Sequence, residues 1–402
     1  MPPTRSFVLR TVAAAFFAAL FAIAQIAADP EPRWWRGNLH TYTLWSDGDG
    51  FPEMIAEWYR DHGYHFLALS DHNVLSQGER WMTAQSIDQR AGVDAVARYR
   101  KRFGEKWVET RGAEVRLKTL DEVRTLVEER NRFLMISSEE ITGAAGDGRT
   151  LHMNATNLGE ALPFLMGSTV RESMVRNLQA VEDSAKRTGR PVMLHVNHPN
   201  YKWGVTAEDL AAVVNERFFE VWNGVDGDND PGDATRPSTD AIWDIANALR
   251  LTRYNAAPLF GLGTDDSHNH HGNKTHSPPG RAWVMVRAAH LSPESIIRAM
   301  RNGDFYASTG VELESITFDK AARSLSLRIK PTQGVEYTTQ FVGARKGATA
   351  GEVFAEQKGA APSYRLRGDE LFVRAVVKSN ATPAVPSQEY PYQRAWTQPV
   401  GW

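Results

Sequence analysis

The chain of 402 residues contains no cysteine. This absence excludes thiolate metal sites, cysteine nucleophiles and disulfide bonds. Any metal ion would have to be held by imidazole and carboxylate groups, which suit zinc, manganese or iron better than a soft metal. The absence is compatible with an oxidising compartment but does not require one.

The chain also lacks an excess of charge of either sign. Lys and Arg number 46 against 48 Asp and Glu, so the formal net charge is -2. A nucleic-acid-binding protein usually presents a basic surface, and we therefore expect no nucleic-acid partner. A small anionic substrate is not excluded, because a bound metal supplies positive charge locally. With 42% hydrophobic and 23% charged residues, the composition predicts a large globular domain plus a smaller one.

A long apolar run occurs at the start of the chain. It extends from Val12 to about Ala24 and follows the basic residues Arg5 and Arg10. With small residues behind it, this pattern predicts a signal peptide over residues 1–28. The run is shorter than the roughly 20 residues of a membrane span, although an uncleaved anchor is the alternative. We expect a periplasmic or secreted protein that is not stably inserted in a membrane after cleavage.

Short apolar runs then alternate with helical patterns as far as about Gly310. The runs predict strands at Gly37–Thr43, His65–Ser70, Phe133–Ile136, Pro191–Val196, Phe218–Trp222, Pro258–Gly263 and Ala282–Val286. The patterns between them predict helices at Pro52–His62, Val93–Phe103, Leu120–Arg130, Val170–Thr188, Ala207–Val214, Ser238–Leu249 and Pro293–Asn302. Such alternation predicts an α/β domain over residues 29–310 with a parallel sheet, closed or open.

The last part of the chain has a different pattern. Leu325, Leu327 and Ile329 alternate with polar residues, which is the period of a half-buried strand. Glu336–Val342 and Glu370–Val377 predict further strands, and no helical pattern is evident. Residues 311–402 are therefore predicted to form a small all-β, sandwich-like domain.

Residues able to bind metal follow most of the predicted strands. They are His40, Tyr42 and Asp47; Asp71 and His72; Glu139, Glu140 and His152; His195 and His198; and Asp265, Asp266 and His268. In an α/β barrel the carboxyl ends of the strands meet at one face, where active sites are built. Any one of these residues alone would more often be structural. Together they predict a metal site that polarises an ester bond and activates water.

These stretches resemble the PHP superfamily, named for its polymerase and histidinol-phosphatase members. The resemblance covers about residues 36–310 and rests on Gly37–Gly48, Leu67–Asn73, Ser137–Thr142, Leu151–Thr156, Val196–Asn200 and Gly263–Asn269. Phe218–Gly224 and Gly303–Gly310 resemble a branch with a C-terminal β domain, which the carbaryl-hydrolase-like members share in general appearance. The resemblance implies a distorted seven-stranded (β/α) barrel of PHP type.

The resemblance also implies ligands for two or three divalent ions, either Zn, Mn or Fe. The implied sets are His40, Glu140 and Asp266 with position 42; Glu140, His152 and His198; and Asp47, His72 and His268. Glu140, Asp266 and His268 are the expected catalytic residues. The family motifs favour Glu140 over Glu139, His198 over His195 and Asp266 over Asp265.

Tyr42 departs from the family pattern, which has histidine at this position. A phenol has an ordinary pKa near 10 and is a poorer ligand than imidazole at neutral pH. The first ion could be bound weakly, Tyr42 could bind a hard ion as phenolate, or the site could hold two ions while Tyr42 contacts substrate. Loss of activity is a further alternative.

Three functions remain open from the sequence. The first is an exported phosphoesterase acting on a small-molecule substrate, with Arg281, Lys274 and Tyr42 as candidate substrate-binding residues. The second is a hydrolase of a non-phosphate ester, carbamate or amide, and the third is a catalytically inactive binding protein. The loop from Asn223 to Pro237 is expected at the surface. The sequence does not predict an oligomeric state.

Overall fold

The structure, a computed structural model, describes residues 29–271 and 276–402. The predicted leader and Lys274 lie outside the described residues. The strands are β1 (Arg33–Asn38), β2 (Phe66–Leu69), β3 (Arg80–Thr83), β4 (Thr110–Arg111), β5 (Glu114–Leu117), β6 (Leu134–Ala144), β7 (Thr150–Thr156), β8 (Met193–Val196), β9 (Phe218–Asn223), β10 (Phe260–Thr264), β11 (Trp283–Ala288), β12 (Phe305–Ser308), β13 (Leu313–Asp319), β14 (Ser324–Ile329), β15 (Tyr337–Gly343), β16 (Glu352–Lys358), β17 (Ser363–Arg365), β18 (Arg374–Ser379) and β19 (Arg394–Thr397). The helices are α1 (Pro52–Asp61), α2 (Ala84–Ala91), α3 (Ala95–Phe103), α4 (Leu120–Val127), α5 (Val170–Thr188), α6 (Ala207–Ala212), α7 (Thr239–Thr252) and α8 (Pro293–Arg301), with a 3-10 turn at Tyr201–Trp203.

The fold is mixed α/β with a large central sheet. Its 13 strands follow the order β10-β9-β8-β7-β6-β2-β1-β11-β12-β19-β18-β15-β16. Neighbours pair in parallel in the groups β1-β2-β6 and β8-β9-β10. The hairpin of β6 and β7 and the pairing of β1 with β11 are antiparallel. The expectation of a parallel sheet is therefore wrong for these strands. β7, which the sequence did not predict, returns antiparallel from β6, and β11 runs antiparallel to β1.

The predicted helices are confirmed with small shifts at their ends, and their capping residues explain the bounds. Helix α5 begins after Thr169, whose side chain accepts a hydrogen bond from the backbone of Glu172. It ends at Gly189, which has a φ of 68° and so closes the helix in a left-handed conformation. Pro293 occupies the first turn of α8, where its missing N–H removes no hydrogen bond from the helix.

One part of the sheet curves so that the segments after β1 and β10 meet. An isolated parallel bridge joins Thr41 to Ser267, just beyond the ends of these two strands. Beneath this point, apolar side chains from several strands pack in one core, including Leu39, Phe66, Ile136, Leu262 and Val284. The core holds the carboxyl ends of the strands at one level, and the predicted ligands follow those ends.

Residues 311–402, all of which the structure describes, contain strands and no helix. Strands β19, β18, β15 and β16 continue the central sheet through the pairing of β12 with β19. Strands β13, β14 and β17 form a separate sheet, and Leu325, Phe341 and Val377 belong to one apolar cluster of this region. The predicted domain boundary between residues 310 and 311 stays a prediction.

Strands β3, β4 and β5 form a third sheet that, with α2, the sequence did not predict. Trp45, close to the predicted ligand Asp47, donates its indole N–H to the carbonyl of Lys118 at 2.9 Å. This contact ties the small sheet region to one side of the site. Among the helices of residues 29–271 and 276–402, none has both the length and the apolar character that a membrane crossing needs.

Arg374 of β18 joins the C-terminal strands to helix α7. Its guanidinium is 1% exposed and donates to both carboxylate oxygens of Asp244, at 2.8 and 2.9 Å. It also lies 3.0 Å from Oδ1 of Asp240 and 4.3 Å from the ring centroid of Trp243. Removing one partner of such a buried pair leaves the other charge without compensation.

We therefore expect Arg374→Ala to lower the free energy of unfolding by about 3–5 kcal/mol, measured by urea titration with tryptophan fluorescence. The double variant Arg374→Met, Asp244→Leu should recover much of this loss, because neither charge remains buried. Arg187→Ala, which removes the exposed pair with Glu160, serves as the control and should change little. Equal losses in Arg374→Ala and the control would contradict a structural role for the buried pair.

Candidate metal centre

Seven of the nine predicted ligands line a single cleft of about 390 Å³. His40 and Glu140 lie fully buried beneath it. The cleft is lined by Tyr42, Asp47, His72, His152, His198, Tyr201, Val225, Asp228, Asp266, His268, Asn269 and His276.

Glu140 is the central carboxylate of the site. Its Oε1 lies 3.2 Å from Nδ1 of His152, 3.5 Å from Nε2 of His40 and 3.6 Å from Nε2 of His198. Its Oε2 is paired with Nδ1 of His72. Burial alone would raise the pKa of Glu140, but His152 and His72 hold that pKa well below its usual range. Glu140 is therefore an anion surrounded by imidazole rings.

Tyr42 places its hydroxyl between two of the expected ligands. The hydroxyl lies 2.6 Å from Nε2 of His40 and donates to Oε2 of Glu140 at 2.6 Å. Its ring packs on that of His268, with centroids 4.0 Å apart. Burial, with Asp266 and Glu140, raises the pKa of Tyr42 well above 10. In the metal-free site this side chain is thus a neutral phenol.

Asp47, His72 and His268 form a group on the open side of the cleft. Oδ2 of Asp47 lies 3.5 Å from Nε2 of each of the two histidines. The Asp47 side chain is 53% exposed, so solvent reaches this group. Asp71 holds the loop that carries Asp47, because it accepts hydrogen bonds from the backbone of Thr43 and Ser46.

Asp266 carries a buried oxygen that lacks a donor. Among the described residues, Oδ1 has no hydrogen-bond partner. The nearest ring nitrogens, Nε2 of His40 and Nδ1 of His268, lie 3.5 Å away. Oδ2 accepts a hydrogen bond from Asn223 at 3.0 Å. An unsatisfied buried carboxylate oxygen is costly, and a cation at this point would satisfy it.

The donor set fits divalent metal ions. One ligand atom from each member of a group lies within 4.8 Å of the others. The groups are His40, Glu140 and His198; His40, His195 and Glu220; Asp47, His72 and His268; and His198, Asp228 and Asp266. Imidazole and carboxylate are the ligand types that zinc, manganese and iron share.

Glu220 supports the site from below, and the sequence did not predict it. Oε1 lies 2.7 Å from Nδ1 of His40 and accepts from Thr264 at 2.7 Å. Oε2 accepts from the backbone N–H of His198 and from Asn223, both at 2.8 Å. Metal-binding histidines commonly have such a carboxylate behind the ring. The signal for it was a lone acidic residue inside an apolar strand, β9.

The sequence offered two neighbouring candidate ligands at three places, and the structure puts the two members of each pair in different positions. Glu139 and Glu140 point to opposite faces of β6, as neighbours on a strand do; Glu139 accepts a backbone N–H at 2.9 Å on the far side. Asp265 accepts backbone N–H groups of residues 280–282. His195 lies below the cleft, with Nε2 3.4 Å from Glu220. These three residues hold the site together, and none of them lines the cleft.

Arg281 does not have the position expected of a substrate-binding residue. It is 3% exposed, and its guanidinium donates to Asp226 at 2.7 Å and to the carbonyl of Gly224 at 2.6 Å. It therefore anchors the loop after β9. The surface position expected for that loop is wrong for Asp228 and Asp230, which are 4% and 0% exposed.

Two groups of the cleft have raised pKa values. Burial lowers the pKa of His198, but Glu140 and Asp228 raise it more, to about 9. Burial, with Asp266 and Glu220, raises the pKa of Asp228 to about 7, although His198 lowers it. Metal binding must displace such protons. Metal affinity should therefore fall as the pH is lowered.

No known family model matches the chain, and no curated protein matches it in sequence. Its structure is similar to that of a two-domain protein from Bacteroides vulgatus containing a predicted PHP-like metal-dependent phosphoesterase, with a TM-score of 0.41, 14% identity and coverage of 92% of this chain and 96% of the other. It is also similar to a proposed metal-dependent phosphoesterase from Bifidobacterium adolescentis, with a TM-score of 0.30, 14% identity and coverage of 62% and 94%.

We expect Tyr42→His to raise the metal content of the purified protein, by up to one equivalent per chain. The substitution exchanges a neutral phenol for an imidazole between His40 and Glu140, and imidazole is the better ligand at neutral pH. Elemental mass spectrometry after dialysis against Mn²⁺ or Zn²⁺ measures the change. Tyr42→Phe, which removes the hydroxyl without adding a ligand, should not gain metal; a loss of metal in this variant would make Tyr42 itself a ligand.

Proposed function

We propose that this protein is a metal-dependent phosphoesterase of PHP type, with a distorted seven-stranded barrel over residues 29–310 and an all-β domain over residues 311–402. The observation that carries the proposal is the convergence of nine imidazole, phenol and carboxylate side chains, seven on the wall of one open cleft and two buried beneath it. They come from segments far apart in the sequence. The motifs that resemble the PHP superfamily contain the same residues.

The residues that would hold the ions fall into three groups around Glu140: His40 with Asp266, His152 with His198, and His72 with His268 and Asp47. Divalent ions bound there would polarise the ester and lower the pKa of a water molecule. Glu140, Asp266 and His268 are the proposed catalytic residues, as expected from the sequence.

The remaining side chains orient these groups and shape the cleft. Glu220 fixes the ring of His40 and the backbone of His198. Tyr201 places its ring 5.7 Å from that of His152 and 5.1 Å from that of His198, centroid to centroid. This aromatic wall would exclude water from one side of a bound ester and contact its leaving group.

A second candidate function is hydrolysis of a carboxylic ester or carbamate. Among the described residues that line the cleft, none is Lys or Arg. A phosphate group would then have to be neutralised by the metal ions and histidines alone, whereas a neutral ester needs no such charge. The ring of Tyr201 suits an aromatic leaving group in either case.

We also propose that the protein is exported to the periplasm or secreted and acts on a small-molecule substrate. The basic and apolar pattern of residues 1–28 is the support for export. Expressed in a bacterium, the mature protein should be recovered in the periplasmic fraction and begin near Gln25 to Asp29 by N-terminal sequencing. An intact Met1 in the cytoplasmic fraction would contradict export.

The experiment that tests the function combines metal analysis with turnover. We expect the purified protein to contain two or three equivalents of zinc, manganese or iron, and to hydrolyse p-nitrophenyl phosphate or its diester in a chelator-sensitive manner. p-Nitrophenyl acetate, assayed in parallel, separates the second candidate function from the first. Neither activity, with no metal bound after metal is added back, would overturn the proposal.

His198→Ala and Asp266→Ala sharpen this test, since each removes a proposed ligand. Both variants should lose metal and at least about 100-fold in kcat/KM, which corresponds to about 3 kcal/mol. His290→Ala is the matched control, because His290 is exposed and paired only with Asp29 at 3.1 Å. A fully active, fully metallated His198→Ala or Asp266→Ala protein would be incompatible with the assignment.

A further inference from the structure

Asp228 lines the metal centre without belonging to any ligand set that the sequence predicted. It lies in the loop between β9 and α7, and its side chain is buried on the wall of the cleft. One carboxylate oxygen of Asp228, Nε2 of His198 and an oxygen of Asp266 lie within 4.8 Å of one another. Nε2 of His198 lies 3.9 Å from Oδ2 of Asp266.

We propose that Asp228 is a metal ligand, and that His198, Asp228 and Asp266 together bind one divalent cation on the loop side of the cleft. This inference rests on the proposed metal-dependent function, and it adds a ligand to that site.

Both carboxylates of this group are buried. Asp228 is 4% exposed and lines the cleft, and none of the described residues that line the cleft is Lys or Arg. Oδ1 of Asp266 has no donor among the described residues. Buried carboxylates in native proteins are normally hydrogen-bonded, paired or bound to metal. Two buried carboxylates beside one imidazole therefore point to a cation.

No Lys or Arg is among the described residues that line this cleft. Arg281, the arginine behind the loop, is bound to Asp226 and to backbone carbonyls. Glu220 adds a further negative charge below His198. Like charges at this distance disfavour each other's ionised forms. A divalent cation would offset the charges of Asp228 and Asp266 together.

The position of Tyr42 explains why the site would use Asp228 as a ligand. The Tyr42 hydroxyl is hydrogen-bonded to both His40 and Glu140, two of the three ligands expected for the first ion. The third, Asp266, keeps an oxygen free of donors. Asp228 lies close to Asp266 and His198, so an ion held there would not require Tyr42 to leave.

Two carboxylates and one imidazole form a donor set rich in oxygen. Such a set suits Mn²⁺ or Fe²⁺, with water completing the coordination, better than a metal that prefers soft ligands. Mn²⁺ alone is therefore the appropriate probe.

The test measures Mn²⁺ binding directly, apart from turnover. The full chain is stripped with chelator and titrated with Mn²⁺ by calorimetry, and bound metal is then counted by elemental mass spectrometry. Asp228→Asn and Asp228→Ala should each lose about one equivalent, or weaken one class of sites at least tenfold. Asp233→Asn, in the same loop but exposed, should bind Mn²⁺ like the wild type.

Thermal unfolding separates ligation from a merely structural role. Metal-free Asp228→Asn should unfold at the temperature of the metal-free wild type or above it, because the substitution relieves charge repulsion. The rise in Tm that Mn²⁺ causes should be smaller in the variant. Unchanged stoichiometry and affinity in both Asp228 variants would overturn the inference while leaving the proposed function intact; a wild type that binds no metal would remove both.

Discussion

The burial of Glu140 is the constraint on which the rest of the site depends. An ionised carboxylate with no solvent exposure is stable only if positive or hydrogen-bonding groups surround it. Here His72, His152 and His198 approach it from three segments of the chain, and Tyr42 donates to it directly. The strand ends must therefore lie at one level. The apolar core beneath them, rather than any single contact in the cleft, maintains that level.

His40 connects Glu140 to a second buried carboxylate. Its ring lies between them, with Nδ1 2.7 Å from Glu220 and Nε2 3.5 Å from Glu140. A carboxylate behind a histidine fixes the orientation and protonation of its ring and makes the other nitrogen more basic. Glu220 also receives the backbone N–H of His198, a residue with the unusual φ of 23°. One carboxylate thus positions two proposed ligands, and the strained backbone at His198 is held by that hydrogen bond.

Local patterns predicted much of the fold. The period of the apolar residues located six of the seven predicted strands, whereas Gly37–Thr43 overlaps β1 only at Gly37 and Asn38. It also predicted the helix Val170–Thr188 with the observed bounds. The period could not predict that β6 continues to Ala144 and returns as β7, because the polar residues Glu139 and Glu140 in β6 and His152 in β7 interrupt the apolar pattern. The sequence also did not predict the position of Asp228. A loop rich in Gly, Asp and Pro is typical of a surface, and only the fold shows that this loop turns inward. Glu220 was missed because its neighbours in β9 are apolar, and the strand was read as core.

Tyr42 and Asp228 are best understood together. A tyrosine in place of a histidine removes a nitrogen ligand, and its hydroxyl engages the two groups between which an ion would otherwise be bound. That change alone would leave Asp266 with an unsatisfied oxygen, with ring nitrogens of His40 and His268 3.5 Å away. A second carboxylate would make this worse unless a cation were present, since Asp228 brings another buried negative charge to the same place. The two residues are energetically compatible in one site if the ion lies between Asp228, Asp266 and His198. The tyrosine then need not signal a decayed centre, because the ligand lost at position 42 is replaced by one from the loop after β9.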